Sequence, residues 1–125
     1  MNEVKSAHHE LLKAVAEAAS DKKAVGLVAI DVGEISTIAD YFIVCCGQNE
    51  RQTKTIADAI EERLSTLGVK PHHVEGRSVG SWILMDYGDV IISVFLPETR
   101  DFYDLERLWG DCERLELEDL LDEAI

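Results

Sequence analysis

Residues 81–95 read Ser81-Trp82-Ile83-Leu84-Met85-Asp86-Tyr87-Gly88-Asp89-Val90-Ile91-Ile92-Ser93-Val94-Phe95. Two apolar runs flank a Gly-Asp pair, the pattern of two antiparallel strands joined by a tight turn. The strands are expected over residues 81–87 and 90–95. Neighbouring side chains of a strand point to opposite faces. Trp82, Leu84 and Asp86 therefore share one face, and Ile83, Met85 and Tyr87 the other. An aspartate is not buried without a partner, so the Trp82 face is expected nearer to solvent.

Upstream, Gly76–Gly80 reads as a loop and His72–Glu75 as a short strand. Before them lies the clearest helix of the chain. Asn49 is its expected N-cap, and Glu50 puts a negative charge in the first turn. Ile56, Ala57, Ile60, Leu64 and Leu67 recur at helical spacing, Gly68 ends the helix and Pro71 prevents its resumption. Ala39–Cys46 and Val25–Asp31 read as strands, ended by Gly47 and by a turn at Gly33. Leu11, Leu12, Val15, Ala16 and Ala19 form one stripe of a helix over residues 10–22. Downstream, Leu96-Pro97 closes the hairpin, and residues 101–109 and 115–121 read as helices. A helix between the second and third strands implies a crossover, while the hairpin pairs antiparallel. The expected fold is an α/β chain of α+β character, with helices packed on a mixed sheet.

At 125 residues the chain is expected to form one domain over residues 1–110, followed by an acidic, helical C-terminal tail over 111–125. No apolar run approaches the roughly 20 residues of a membrane span, and the first residues carry no apolar signal block. Twelve basic and 25 acidic residues leave a net charge of −13. Such a chain is repelled by free nucleic acid, whose binding rests on Lys and Arg, and suits a basic protein partner. Cys45, Cys46 and Cys112 have no zinc spacing and read as free thiols of a reducing, cytoplasmic setting.

The aromatics, arginines and acids between Glu75 and Trp109 have the composition of a recognition surface. Arg100, Tyr103, Leu105, Glu106 and Trp109 form a second cluster beside the hairpin, with Arg100 expected to pair with a hairpin carboxylate. Phe102 and Leu105 read as the residues that dock this helix on the sheet. No arrangement reads as catalytic. Asp86 and Asp89 lie on opposite sides of a turn, whereas two-metal chemistry needs carboxylates that converge. His72 and His73 face opposite ways in a strand, and His8-His9 is no stronger a metal motif. No phosphate loop or nucleophile elbow is present. Catalytic residues, metal and cofactor are all expected to be none.

With these residues laid out, the sequence resembles the ribosomal silencing factor family, also called the Iojap family. The resemblance rests on Ala39-Asp40-Tyr41-Phe42 leading to Gly47, on Arg51-Gln52 with Ile56-Ala57, and on Glu75-Gly76 and Trp82. It continues through Asp86-Tyr87-Gly88-Asp89-Val90, Phe95, Arg100 and Phe102-Tyr103-Asp104-Leu105-Glu106-Arg107-Leu108-Trp109. It covers roughly residues 11–110. The sequence departs from the family pattern at Ser93, where histidine is common, and at Cys46, where threonine is usual. The resemblance implies a nucleotidyltransferase-like fold without its catalytic motif; here Gln48, not serine, follows Gly47. It implies binding to ribosomal protein L-fourteen on the large ribosomal subunit, a block on joining of the small subunit, and damped translation when nutrients are short. The expected docking residues are Glu75, Trp82, Asp86, Tyr87, Gly88, Arg100, Tyr103 and Glu106. A homodimer is compatible with the resemblance. The rival readings are a nucleotidyltransferase-like enzyme and a dimerisation module without a ribosomal role.

Overall fold

The computed structural model describes residues 2–33, 36–110 and 112–124, with side chains described for 8–33, 36–110, 112–117 and 119–121. Helix α1 (Asn2–Asp21) leads into β1 (Val25–Asp31) and β2 (Tyr41–Cys46). Helix α2 (Glu50–Ser65) follows, then β3 (His73–Glu75), β4 (Trp82–Asp86) and β5 (Val90–Phe95). The chain ends with α3 (Pro97–Tyr103), α4 (Leu105–Leu108), β6 (Glu113–Glu116) and a 3₁₀-helix (Leu117–Ala124). The six strands form one sheet in the order β3-β4-β5-β2-β1-β6. β2 and β5 run parallel at its centre, and every other pair is antiparallel. This is the expected mixed sheet with helices packed on it.

Helix α2 shows how local sequence sets the frame. Asn49 is the N-cap: its side chain accepts a hydrogen bond from Gln52 N at 2.8 Å. The Gln52 side chain accepts from Gln48 N at 2.7 Å and donates to the carbonyls of Lys22 and Lys23. One glutamine thus latches the start of α2 to the turn between α1 and β1. Asn49→Ala is expected to lower stability by about 1 kcal/mol and Tm by a few degrees, read by thermal melting.

Alternation along the strands builds two apolar layers. Toward α1 and α2 point Leu27, Ala29, Ile43, Cys45, Ile83, Met85, Ile92 and Val94, which pack with Leu12, Val15, Ala16, Ile56, Ile60 and Leu64. Away from them point Val28, Ile30, Val44, Cys46 and Phe95. The segment after β5 returns over this second face, where Leu105 and Trp109 pack on it.

Two helical expectations are corrected. The helix expected over residues 101–109 begins earlier, with Pro97 in its first turn, where a missing N–H is harmless. It then breaks at Asp104, which adopts a left-handed conformation with φ 46°, one that aspartate tolerates better than most residues. The helix expected over residues 115–121 is instead β6 followed by the 3₁₀-helix. Leu115 and Leu117 alternate at strand period, and the free edge of β1 supplies the partner. Residue 111, where the sequence reading began its tail, lies outside the described residues. Residues 113–116 belong to the sheet, and Leu117 is fully buried.

Both outer strands are short and polar. β3 has three residues, with His73 and Glu75 exposed; β6 has four, with Glu113, Arg114 and Glu116 exposed.

Candidate protein-interaction face

Strand register gathers the site on the face opposite α1 and α2. Glu75 pairs with Leu84, Leu84 with Ser93, Trp82 with Phe95, and Asp86 with Ile91. Cross-strand partners share a face, so Glu75, Trp82, Leu84 and Asp86 line one face of the sheet. Glu75 is exposed, and the other three are half-buried.

Rings form the edge of this surface. Trp82 stacks on Phe95 at 5.0 Å between centroids, and Tyr103 lies 4.7 Å from Trp82 in a tilted contact. Phe102 meets Tyr103 edge-on at 5.1 Å. The indole N–H of Trp82 donates to Ser93 Oγ at 3.0 Å, so the ring is held by a hydrogen bond as well as by stacking. Ser93 is itself buried and orients the tryptophan through its hydroxyl. Phe102 is 80% exposed, Leu108 70% and Tyr103 50%. Ser81, Trp82, Glu98, Thr99, Phe102 and Tyr103 line an open groove of about 410 Å³. Large exposed apolar groups beside a rigid aromatic, rimmed by acids such as Glu75, Glu98 and Asp101, suit a partner with an apolar centre and basic surroundings.

Arg100 and Glu106 stand beneath this surface. Arg100 Nε bonds Glu106 Oε1 at 2.8 Å, and its Nη1 donates to the Gly26 carbonyl at 2.8 Å and to Cys46 Sγ at 3.4 Å. Arg114 binds the other carboxylate oxygen of Glu106 at 2.8 Å. The hydrogen bond from Arg100 is the main reason that the Glu106 carboxyl sits below the usual carboxylate range, with burial working the other way. Burial opposes the Arg100 charge, but its bonds to Glu106 and Cys46 outweigh this and raise its pKa. Gly26 lies in the irregular stretch of β1, at φ 63°, and a Cβ there would stand 2.4 Å from Arg100 Nη1. Glycine is what lets the guanidinium approach.

Of the eight residues expected to dock, four share the face: Glu75, Trp82, Asp86 and Tyr103. Asp86 also shapes the turn, accepting from Gly88 N at 2.8 Å. Gly88 sits in that turn with φ 86°. Tyr87 lies on the opposite face, 8% exposed, because strand alternation turns it toward the helices. Its ring does not add to the surface, and burial pushes its pKa up to about 12. Arg100 and Glu106 form an internal strut, and the pairing expected between Arg100 and a hairpin carboxylate is made to Glu106 instead. The sequence reading placed Phe102 with Leu105 as a docking residue of the helix. Leu105 does pack on the sheet, but Phe102 points outward. The break at Asp104 changes which side of the segment each residue presents, and helical spacing alone carries no signal of it.

The cysteines give the face no thiol chemistry. Cys45 and Cys46 are buried, and burial pushes Cys45 up to about 12, far from the thiolate form that reacts. His73 faces Glu75 at 3.2 Å. No helix among the described residues is long and apolar enough to cross a membrane.

Comparison with known proteins places this geometry among relatives. Residues 5–124 match a family described as ribosomal silencing factor during starvation. The chain is 39% identical over 114 residues to the ribosomal silencing factor RsfS of Halalkalibacterium halodurans, covering 91% of this chain and 97% of that one. It is 38% identical over 108 residues to RsfS of Bacillus subtilis, covering 86% and 92%. Among solved structures it resembles a crystallised protein of Chromobacterium violaceum with a TM-score of 0.79 and 37% identity, over 81% of this chain and 84% of that one.

Proposed function

The chain belongs to the ribosomal silencing factor family, and from that premise we propose that it docks on ribosomal protein L-fourteen of the large subunit and keeps the small subunit from joining. The observation that carries the docking surface is the pair of exposed rings, Tyr103 and Phe102, seated against the half-buried Trp82 and flanked by acids. Rings supply desolvated area, and Glu75, Asp86 and Glu98 meet basic groups of the partner. The net charge of −13 favours a basic protein over exposed RNA.

The mechanism is steric. A chain of this length has a radius of gyration of about 14 Å and a diameter of roughly 35 Å. Subunit bridges are direct contacts, and a body of that width at a bridge position holds the subunits apart. Occupancy alone is required, with no bond made or broken, and the block reverses as the factor dissociates. A homodimer through the same face would compete with docking.

The test is co-sedimentation of the purified chain with separated ribosomal subunits. Recovery with the large subunit alone, and fewer joined ribosomes when the factor is added first, are expected. Absence of pelleting with either subunit at modest salt would remove the mechanism. Phe102→Ala is expected to weaken recovery about tenfold or more and to leave Tm unchanged, because the ring is mostly in solvent.

A further inference from the structure

His8, Asp40 and Asp89 come from three separate parts of the chain: α1, the residue before β2, and the turn between β4 and β5. His8 Nε2 stands 3.5 Å from Asp40 Oδ2 and 3.9 Å from Asp89 Oδ2. One ligand atom from each residue lies within 4.8 Å of the other two. Both separations exceed the roughly 2.7–3.2 Å of a hydrogen bond. They are close to the roughly 3.3–3.6 Å between neighbouring donors that each sit about 2.1 Å from one tetrahedral ion. Both edges from His8 are too long for a shared proton, and all three ligand atoms lie close enough for one ion to draw them together.

The two carboxylates do not owe their closeness to the histidine. The Asp89 carbonyl accepts from Asp40 N at 2.7 Å and from Tyr41 N at 3.1 Å, so main-chain bonds bring the two aspartates together. Like charges placed this way repel one another. Among the described residues no lysine or arginine pairs with either of them; their ion pairs are with His8. The His8 side chain is 13% exposed and packs edge-on against Tyr41 at 5.3 Å, which fixes the direction of Nε2. The Asp89 side chain, at 79% exposed, leaves the site open to solvent on one side.

We propose that His8, Asp40 and Asp89 bind a divalent first-row transition ion. One imidazole nitrogen and two carboxylate oxygens suit Mn²⁺ or Zn²⁺, with water completing the shell on the open side. The ion offsets the repulsion between the aspartates and clips α1 to the β4–β5 turn. Sequence spacing gave no sign of the site, because its ligands are far apart along the chain and meet only once the sheet is assembled.

The test is titration of the metal-free full chain with Mn²⁺, followed by the loss of the free-ion electron paramagnetic resonance signal. Mn²⁺ is the probe because thiolates bind it weakly, so the three cysteines do not compete. Binding of about one equivalent, displacement by Zn²⁺ and a higher Tm with the ion are expected. Asp89→Ala and His8→Ala should each weaken binding about tenfold or more and abolish the Tm rise. Asp89 is a solvent-facing turn residue, so Asp89→Ala decides the matter even if His8→Ala fails to fold. Failure to retain Mn²⁺ at millimolar concentration, or equal affinity in the original chain and Asp89→Ala, would overturn the site.

Discussion

Trp82→Ala is expected to weaken binding to the large ribosomal subunit by about 2 kcal/mol, roughly a 30-fold rise in Kd. The same change should lower folding stability by about 2 kcal/mol, toward the low side of core aromatic truncations because the ring is half-buried. Both effects follow from its position. The ring packs on Phe95, supports Tyr103, and has its indole N–H held by Ser93. Removal therefore takes away a contact group and lets Tyr103 and Phe102 drift. Co-sedimentation well below the melting temperature separates the two losses. Lower stability with undiminished binding would make Trp82 a core residue only and move the docking surface elsewhere. Trp82→Phe keeps the stacking but not the N–H, and it should bind more tightly than Trp82→Ala.

Arg100→Ala is expected to produce the larger loss of stability, about 3 kcal/mol. The side chain is 15% exposed and Glu106 18%, so solvent screens the pair poorly. Its removal leaves the Gly26 carbonyl without this donor and Glu106 with Arg114 as its remaining cation. Lysine should not rescue it, because one ammonium cannot reach the carboxylate, the carbonyl and the sulfur that the planar guanidinium reaches together. The pH dependence has a definite sign. The folded Glu106 pKa lies below the ordinary value of 4.5, chiefly through the Arg100 hydrogen bond. The stabilisation is thus complete above the unfolded value and is lost as pH falls through the folded one. The Tm gap between the original chain and Glu106→Gln should narrow on acidification from roughly pH 6 toward pH 3. A gap that stayed constant would mean that the carboxylate charge contributes nothing.

Period-two patterns were the most legible part of this chain. The alternation from Trp82 to Asp86 was assigned to the correct faces, and the α2 cap could be read from Asn49 and Glu50. Both are local effects, decided by neighbours within a few residues. What escaped was set by distant partners or by one backbone angle. Residues 113–116 become a strand because β1 offers an edge, which helix propensity cannot anticipate. Phe102 faces outward while Leu105 packs inward, because the positive φ of Asp104 between them breaks the helical phase. Arg100 was grouped with the surface, yet a bulge at Gly26, far away in the chain, gives it an interior destination. The placement of the candidate residues was therefore half legible. The sheet residues follow from parity, while the helical residues depend on where a short segment bends.

The two outer strands carry a consequence for life in a crowded solution. A sheet grows by adding chains at its rim, and growth needs a long, flat rim of unpaired main-chain groups. Here one rim offers three residues and the other four, each with charged or imidazole side chains. Neither end provides a length that a foreign strand can zip onto. At high concentration, a sheet with such short and polar rims resists edge-to-edge growth. The exposed rings lie on the broad side of the sheet instead, away from its rims.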